Sequence, residues 1–201
     1  MPIFLDDDAV DLEGDSLGAV LASARRQLEP HGRVVVEVRL NDRLLTADQI
    51  AQAHGTAVEG QEVKLYSADP RQLARATLEA VREHLAQARQ YQEDAADLLQ
   101  QDEARQAMGK IGQAVEVWLQ AQQAVAHSAA MVGIELGRLG ANGRPFEELT
   151  QDLIQKLQTL KVLITSQDTV ALADTLAYEW PQAIEQWDAL IADLVERIEA
   201  G

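Results

Sequence analysis

From Pro70 to the end of the sequence the apolar residues recur at alternating three- and four-residue intervals. A stripe with that spacing is one face of an α-helix, and it has to be covered by another apolar surface. The first stripe is Leu78, Val81, Leu85, Ala88, Ala95 and Leu99. The second is the most regular: Met108, Ile111, Val115, Trp118, Gln122, Val125, Ala129, Val132 and Leu136, with Gln122 its one polar member. Leu149, Leu153, Leu157, Leu160 and Ile164 make a third. Ala173, Leu176, Trp180, Ala183, Trp187, Leu190 and Leu194 make a fourth, broadened by Ile184, Ile191 and Ile198.

Helix-ending and helix-starting residues divide these stripes. Asp69-Pro70 is a helix start, an N-cap followed by a residue whose missing N–H costs nothing there. Asp102 is placed to cap the second helix and Asp168 the fourth. Gly137 to Pro145, with the turn pair Asn142-Gly143, is the clearest break. Pro181 lies inside the fourth stripe, where it removes a backbone donor and predicts a kink. Gly109 and Gly112 fall within the second helix, and their expected role is close helix packing. Four helices on short connections predict antiparallel neighbours.

Residues 1–69 have a different period. Ile3-Phe4-Leu5 and Val10-Leu12 flank the acidic run Asp6-Asp7-Asp8 and predict two short strands. Ser16 precedes Leu17, Val20, Leu21, Ala24 and Leu28 at helical spacing, a helix that Pro30 and Gly32 stop. Arg33 to Leu40 alternates as a strand, with Val34, Val36 and Val38 on one face. Asn41-Asp42 is a turn, Leu44-Leu45 a return strand, and Thr46 a cap for a short helix through Ile50. Val63, Leu65 and Tyr66 give the last strand. This element order over residues 2–67 resembles ubiquitin-like β-grasp domains, carried by the opening Ile3-Phe4 strand and the helix that follows. The resemblance implies a sheet that docks other proteins. No diglycine tail follows, so conjugation is not implied. The expected fold is therefore α+β: a small β-grasp-like domain over 1–69 and an antiparallel four-helix bundle over 70–201.

Charge narrows the partners. Thirteen acids face six bases in residues 1–69, and twenty face eleven in 70–201, which together give the net charge of −16. Phosphate backbones and anionic lipid require clustered Lys and Arg, so neither nucleic acid nor membrane is an expected partner. The sequence has no cysteine, which removes disulfides, thiolate metal sites and thiol nucleophiles. The N-terminus lacks the basic and apolar regions of a signal peptide, and no uncharged apolar run reaches the ~18 residues of a membrane span, so a cytoplasmic protein is expected.

One motif resembles a catalytic one. Gly14-Asp15-Ser16-Leu17-Gly18 has the Gly-x-Ser-x-Gly spacing of a nucleophile elbow, and it is similar to the Gly-Asp-Ser-Leu signature of a lipase-esterase family. That resemblance makes Ser16 a candidate nucleophile. Such a serine needs a histidine base oriented by a carboxylate, and the family supplies it as Asp-x-x-His near the C-terminus. Here the last histidine is His127, with Ala124 at that spacing. The competing reading of Ser16 is a helix N-cap.

Metal chemistry finds no foothold in the spacing. The residues three before His31, His54, His84 and His127 are Leu28, Ala51, Val81 and Ala124, so no Glu-x-x-His pair exists. Phosphate-binding glycine loops are likewise missing. No cofactor, metal or catalytic residue is expected. What remains is a non-enzymatic protein-interaction module, an adaptor, assembly factor or chaperone-like protein that acts through amphipathic helices. Acidic helical bundles of this kind are loosely similar to bacterial export chaperones of the flagellin-binding type. Trp180 and Trp187 beside Pro181, rimmed by Asp174, Tyr178 and Glu179, are the expected partner-binding residues. Core is the default placement of tryptophans at helical spacing, and a groove is the sharper alternative to it. A serine hydrolase on Ser16 and a structural homo-oligomer are the other two functional readings.

Overall fold

The computed structural model describes residues 2–200, and the fold is α+β. The chain divides into two compact units, one ending at Leu73 and the other beginning at Ala74.

The first unit is a five-stranded mixed sheet with one helix of twelve residues. Strands β1 (Ile3–Leu5), β2 (Asp8–Ala9), β3 (Val34–Leu40), β4 (Arg43–Leu44) and β5 (Val63–Ala68) lie in the order β2-β1-β5-β3-β4. β1 and β5 are parallel, and the other neighbours are antiparallel. Two hairpins are built on paired left-handed residues: Asp6 and Asp7 at φ 53° and 68°, Asn41 and Asp42 at φ 50° and 61°. Asp and Asn tolerate this region, and a turn with both central residues there matches the twist of the flanking strands. The first return strand is Asp8–Ala9, directly after the turn, rather than Val10–Leu12.

Helix α1 (Leu17–Leu28) starts where Ala19 N–H donates to Ser16 Oγ at 3.3 Å. Its inner face, Leu17, Val20, Ala24 and Leu28, packs with Ile3, Leu5, Val38, Val63 and Leu65. The short helix α2 (Ala47–Gln52) opens with a reciprocal cap between Thr46 and Gln49. Val38 is buried, but Val34 and Val36 are exposed. A bulge causes this difference: Val35 pairs with Ser67 and Glu37 with Tyr66, so β3 spends two residues where β5 spends one and the alternation shifts.

In the second unit α3 (Pro70–Gln100), α4 (Ala104–Met131), α5 (Phe146–Ser166) and α7 (Trp180–Ala200) are the long helices. Asp69 opens α3 by accepting from Arg71 N–H at 2.8 Å. A short hairpin, β6 (Gly140–Ala141) and β7 (Arg144–Pro145), joins α4 to α5 around the Asn142-Gly143 turn. The buried face of each stripe enters one apolar core that includes Leu78, Leu85, Ile111, Trp118, Leu149, Trp180, Trp187 and Leu190.

Three local expectations are corrected. Asp102 does not cap α4: it is left-handed at φ 61°, and the capping position is Glu103, which makes no side-chain cap bond. Gly109 and Gly112 do not bring helices together, because a Cβ added at either meets no atom within 4 Å. The fourth helix is not one continuous α-helix. It comprises α6 (Thr169–Asp174), a π-helical segment Thr175–Glu179, and α7. Pro181 supplies the cause: its ring cannot donate to Ala177 and crowds that carbonyl. A wider π turn lies just upstream and accommodates the misfit.

Candidate functional site

After Leu160 the end of α5 is mostly outside the core, with Leu163 still packed against it. Leu149, Leu153 and Leu160 are buried, but from Lys161 to Val170 every residue except Leu163 is exposed. That run contains Val162 at 64% exposure and Val170 at 72%, with Ile164 exposed between them. Ile164 belongs to the same three-four stripe as Leu149 and Leu153, so its exposure means the stripe outlasts its cover. Of the seventeen residues from Leu157 to Ala173 only Lys161 and Asp168 are charged. On an exposed surface, scarcity of charge is a feature shared with the centres of interfaces.

The turn into α6 is fixed locally. Gln167 is left-handed at φ 57°, and Asp168 caps α6 by accepting from Ala171 N–H at 3.0 Å. The cap leaves Thr169 and Val170 facing the α3–α4 turn. There a groove of about 320 Å³ is lined by Leu99, Gln100, Asp102, Thr169, Val170, Ala173 and Asp174. Leu99 and Ala173 are buried and form its apolar floor. Asp102 and Asp174 are exposed carboxylates at its rim, and neither forms an ion pair among the described residues.

The five residues expected to bind a partner fall into three environments. Asp174 lines the groove. Tyr178 is 79% exposed, and Glu179 is exposed and lies 3.8 Å from Lys156 Nζ. Trp180 and Trp187 are each 1% exposed, so they line no groove. Trp118 lies 5.5 Å from Trp180 and 5.9 Å from Trp187 between ring centroids, and Phe146 lies 6.3 Å from Trp187. Both indoles face Trp118 of α4, while Tyr178, Asp174 and Glu179 stay outside. Val162 and Val170 escaped the sequence reading. Their signal was the uncharged stretch around Asp168.

Ser16 is placed as a cap. Its Oγ accepts from Ala19 N–H, and the glycines around it are required by close packing. A Cβ at Gly14 would lie 2.7 Å from the Ala19 side chain, and one at Gly18 would lie 2.5 Å from His54 Nε2. Among the described residues no group of three or more His, Cys, Asp or Glu side chains is placed to hold a metal ion, and no helix is long and apolar enough to cross a membrane.

A family model described as Domain of unknown function (DUF8042) matches residues 76–190, a span that contains the groove, the exposed end of α5 and the π segment. No curated protein and no solved structure matches the chain.

Proposed function

The chain belongs to the DUF8042 family, and since the matched span is helical, we propose that this region is a non-enzymatic protein-interaction module that docks a partner on the outer surface of α5 and α6. One observation carries the reading: Val162 and Val170, the most exposed large aliphatic side chains of the helical unit, lie in a stretch of seventeen residues with only two charges. Burying two such side chains on a partner recovers roughly 1.5–3 kcal/mol each, and only an interface removes them from water.

We read the four long helices as an antiparallel bundle. Support comes from ion pairs whose numbers run in opposite senses: Arg75 with Glu199 and Arg82 with Asp188 between α3 and α7, and Asp94 with Lys110 between α3 and α4. The strand order of the first unit, with its parallel central pair, supports the β-grasp-like reading of that unit. The setting is cytoplasmic in this reading, and the partner is another protein. The apolar floor, the exposed valines and Ser16's engagement as a cap support binding over ester hydrolysis.

The test is the double variant Val162→Asp, Val170→Asp. Both positions are exposed, so circular dichroism and thermal unfolding should stay close to wild type. Proteins cross-linked to the wild-type chain should be lost from the variant. Recovery of the same proteins by a folded variant overturns the reading. Ester hydrolysis abolished by Ser16→Ala establishes an enzyme instead, and a wild-type oligomer that this double variant dissociates assigns the surface to self-assembly.

A further inference from the structure

The groove beside α6 also indicates the chemistry of what docks there, an inference that rests on the interaction reading above. Its floor is apolar, from Leu99, Ala173 and the adjoining Val170. Its lining includes Asp102 and Asp174, one from the α3–α4 turn and one from the end of α6. Within this unit some acids meet a base, among them Asp94 with Lys110, Asp188 with Arg82, Asp193 with Arg197 and Glu179 with Lys156. Others, such as Glu83, Asp97 and Glu185, form no ion pair among the described residues, and Asp102 and Asp174 belong with these. Bases are in short supply, eleven against twenty acids after residue 69, and the groove's two carboxylates are among the acids without one.

Two unneutralised carboxylates flanking an apolar floor are complementary to a surface that is apolar in the middle and cationic at its edges. Lys and Arg side chains meet that description, because their methylene stems lie along apolar surface while the charged head reaches a carboxylate. The groove runs beside a helix and continues into exposed Val170, a layout that suits the i, i+3, i+4, i+7 anchors of an amphipathic helix. A second copy of this chain is a poor occupant, since it brings a further −16 charges to the contact. We propose that the Leu99–Asp102 and Thr169–Asp174 groove receives a cationic amphipathic helix of another protein. Its apolar face sits on Val170 and Ala173, and its Lys or Arg side chains pair with Asp102 and Asp174.

The test uses the full-length chain and two synthetic helical peptides with the same leucine face, one with lysine and one with glutamate on the polar face. Binding is followed by fluorescence anisotropy at low and at physiological salt. The lysine peptide should bind the wild type, more weakly as salt rises. Asp102→Asn with Asp174→Asn should weaken it about five- to tenfold at low salt, the size expected for two exposed charge pairs. Val170→Ser should weaken it by a similar factor at both salt concentrations. Equal binding of the lysine peptide to the wild type and all variants assigns it to the overall acidity of the chain and overturns the proposal. Binding of the glutamate peptide alone, lost in Val170→Ser, overturns the cationic assignment and leaves the interaction surface standing. Binding of neither peptide, together with unchanged partners of the Val162→Asp, Val170→Asp variant, removes both.

Discussion

Trp118 of α4 meets Trp187 of α7 edge to face, with ring centroids 5.9 Å apart and planes at 84°. Both side chains are at most 1% exposed, and Trp180 completes the cluster from the first turn of α7. Perpendicular rings place the positive edge of one against the negative face of the other, and this adds to the burial of the largest side chains in the chain. Trp187→Ala removes one ring and leaves a cavity bounded by Trp118 and Phe146. The expected cost is about 3–5 kcal/mol, read from urea unfolding. Unfolding that stays within experimental error of wild type refutes the core assignment.

Gln92 is the opposite case, a polar side chain where an apolar one belongs. It is 2% exposed on α3 among Ala88, Ala95 and Ala96, and neither amide atom has a hydrogen-bond partner. An unsatisfied buried amide costs on the order of 1–3 kcal/mol, and an apolar residue of similar shape avoids that cost. Gln92→Met should raise stability by about 1–2 kcal/mol, seen as a higher urea midpoint at unchanged slope. A loss of stability means that the Gln92 amide is satisfied in solution.

Gly109 and Gly112 offer a cleaner gain. Both sit inside α4, both are exposed, and a methyl at either meets open space. Glycine has more backbone freedom to lose than alanine, so Gly109→Ala and Gly112→Ala should each stabilise α4 by about 0.5–1 kcal/mol. Differential scanning calorimetry should give a higher Tm for each. If Gly112→Ala raises the Tm but abolishes partner binding, this bare face of α4 is a second contact surface.

These positions separate what the sequence determines locally from what it leaves to tertiary structure. Ser16, Thr46, Asp69 and Asp168 all open helices as expected, because a cap is a bargain between residues two or three apart. The stripes on α3, α4, α5 and α7 were legible for a similar reason: period alone specifies which face is apolar. Period does not say where cover ends, and Ile164 continues the stripe of Leu149 into solvent. The bulge that exposes Val36 depends on pairing with Ser67 and Tyr66, about thirty residues away. The candidate site had the same fate. Asp174 was picked for its neighbours in sequence, but its groove is completed by Leu99 and Asp102 from another helix end. Trp180 and Trp187 share a stripe with Leu176 and Leu190, and it is the packing on Trp118 of α4, which period does not specify, that makes them core.

In the first unit, Asp6 ties the β1–β2 turn to β5. Its carboxylate accepts from Ser67 N–H at 2.7 Å, from Ser67 Oγ at 2.6 Å and from Arg33 Nη2 at 3.3 Å. Partial burial pushes its pKa up, but the Ser67 hydrogen bonds and the Arg33 charge outweigh burial and hold the carboxyl below the usual range. The folded form therefore prefers the ionised carboxylate more strongly than the unfolded chain does. The stability this supplies is complete above the unfolded value of about 3.9, and it is lost as pH falls through the lower folded value. The side chain is 39% exposed, so solvent screening limits the contribution to about 0.5–1 kcal/mol at pH 7. Asp6→Asn should speed amide exchange in β5 at pH 7 by the corresponding two- to fivefold, measured under conditions where exchange reports the opening equilibrium. The gap between variant and wild type should narrow progressively as pH is lowered below the unfolded value of about 3.9. A gap that persists undiminished at pH 2 assigns the effect to lost packing in the turn rather than to the charge on Asp6.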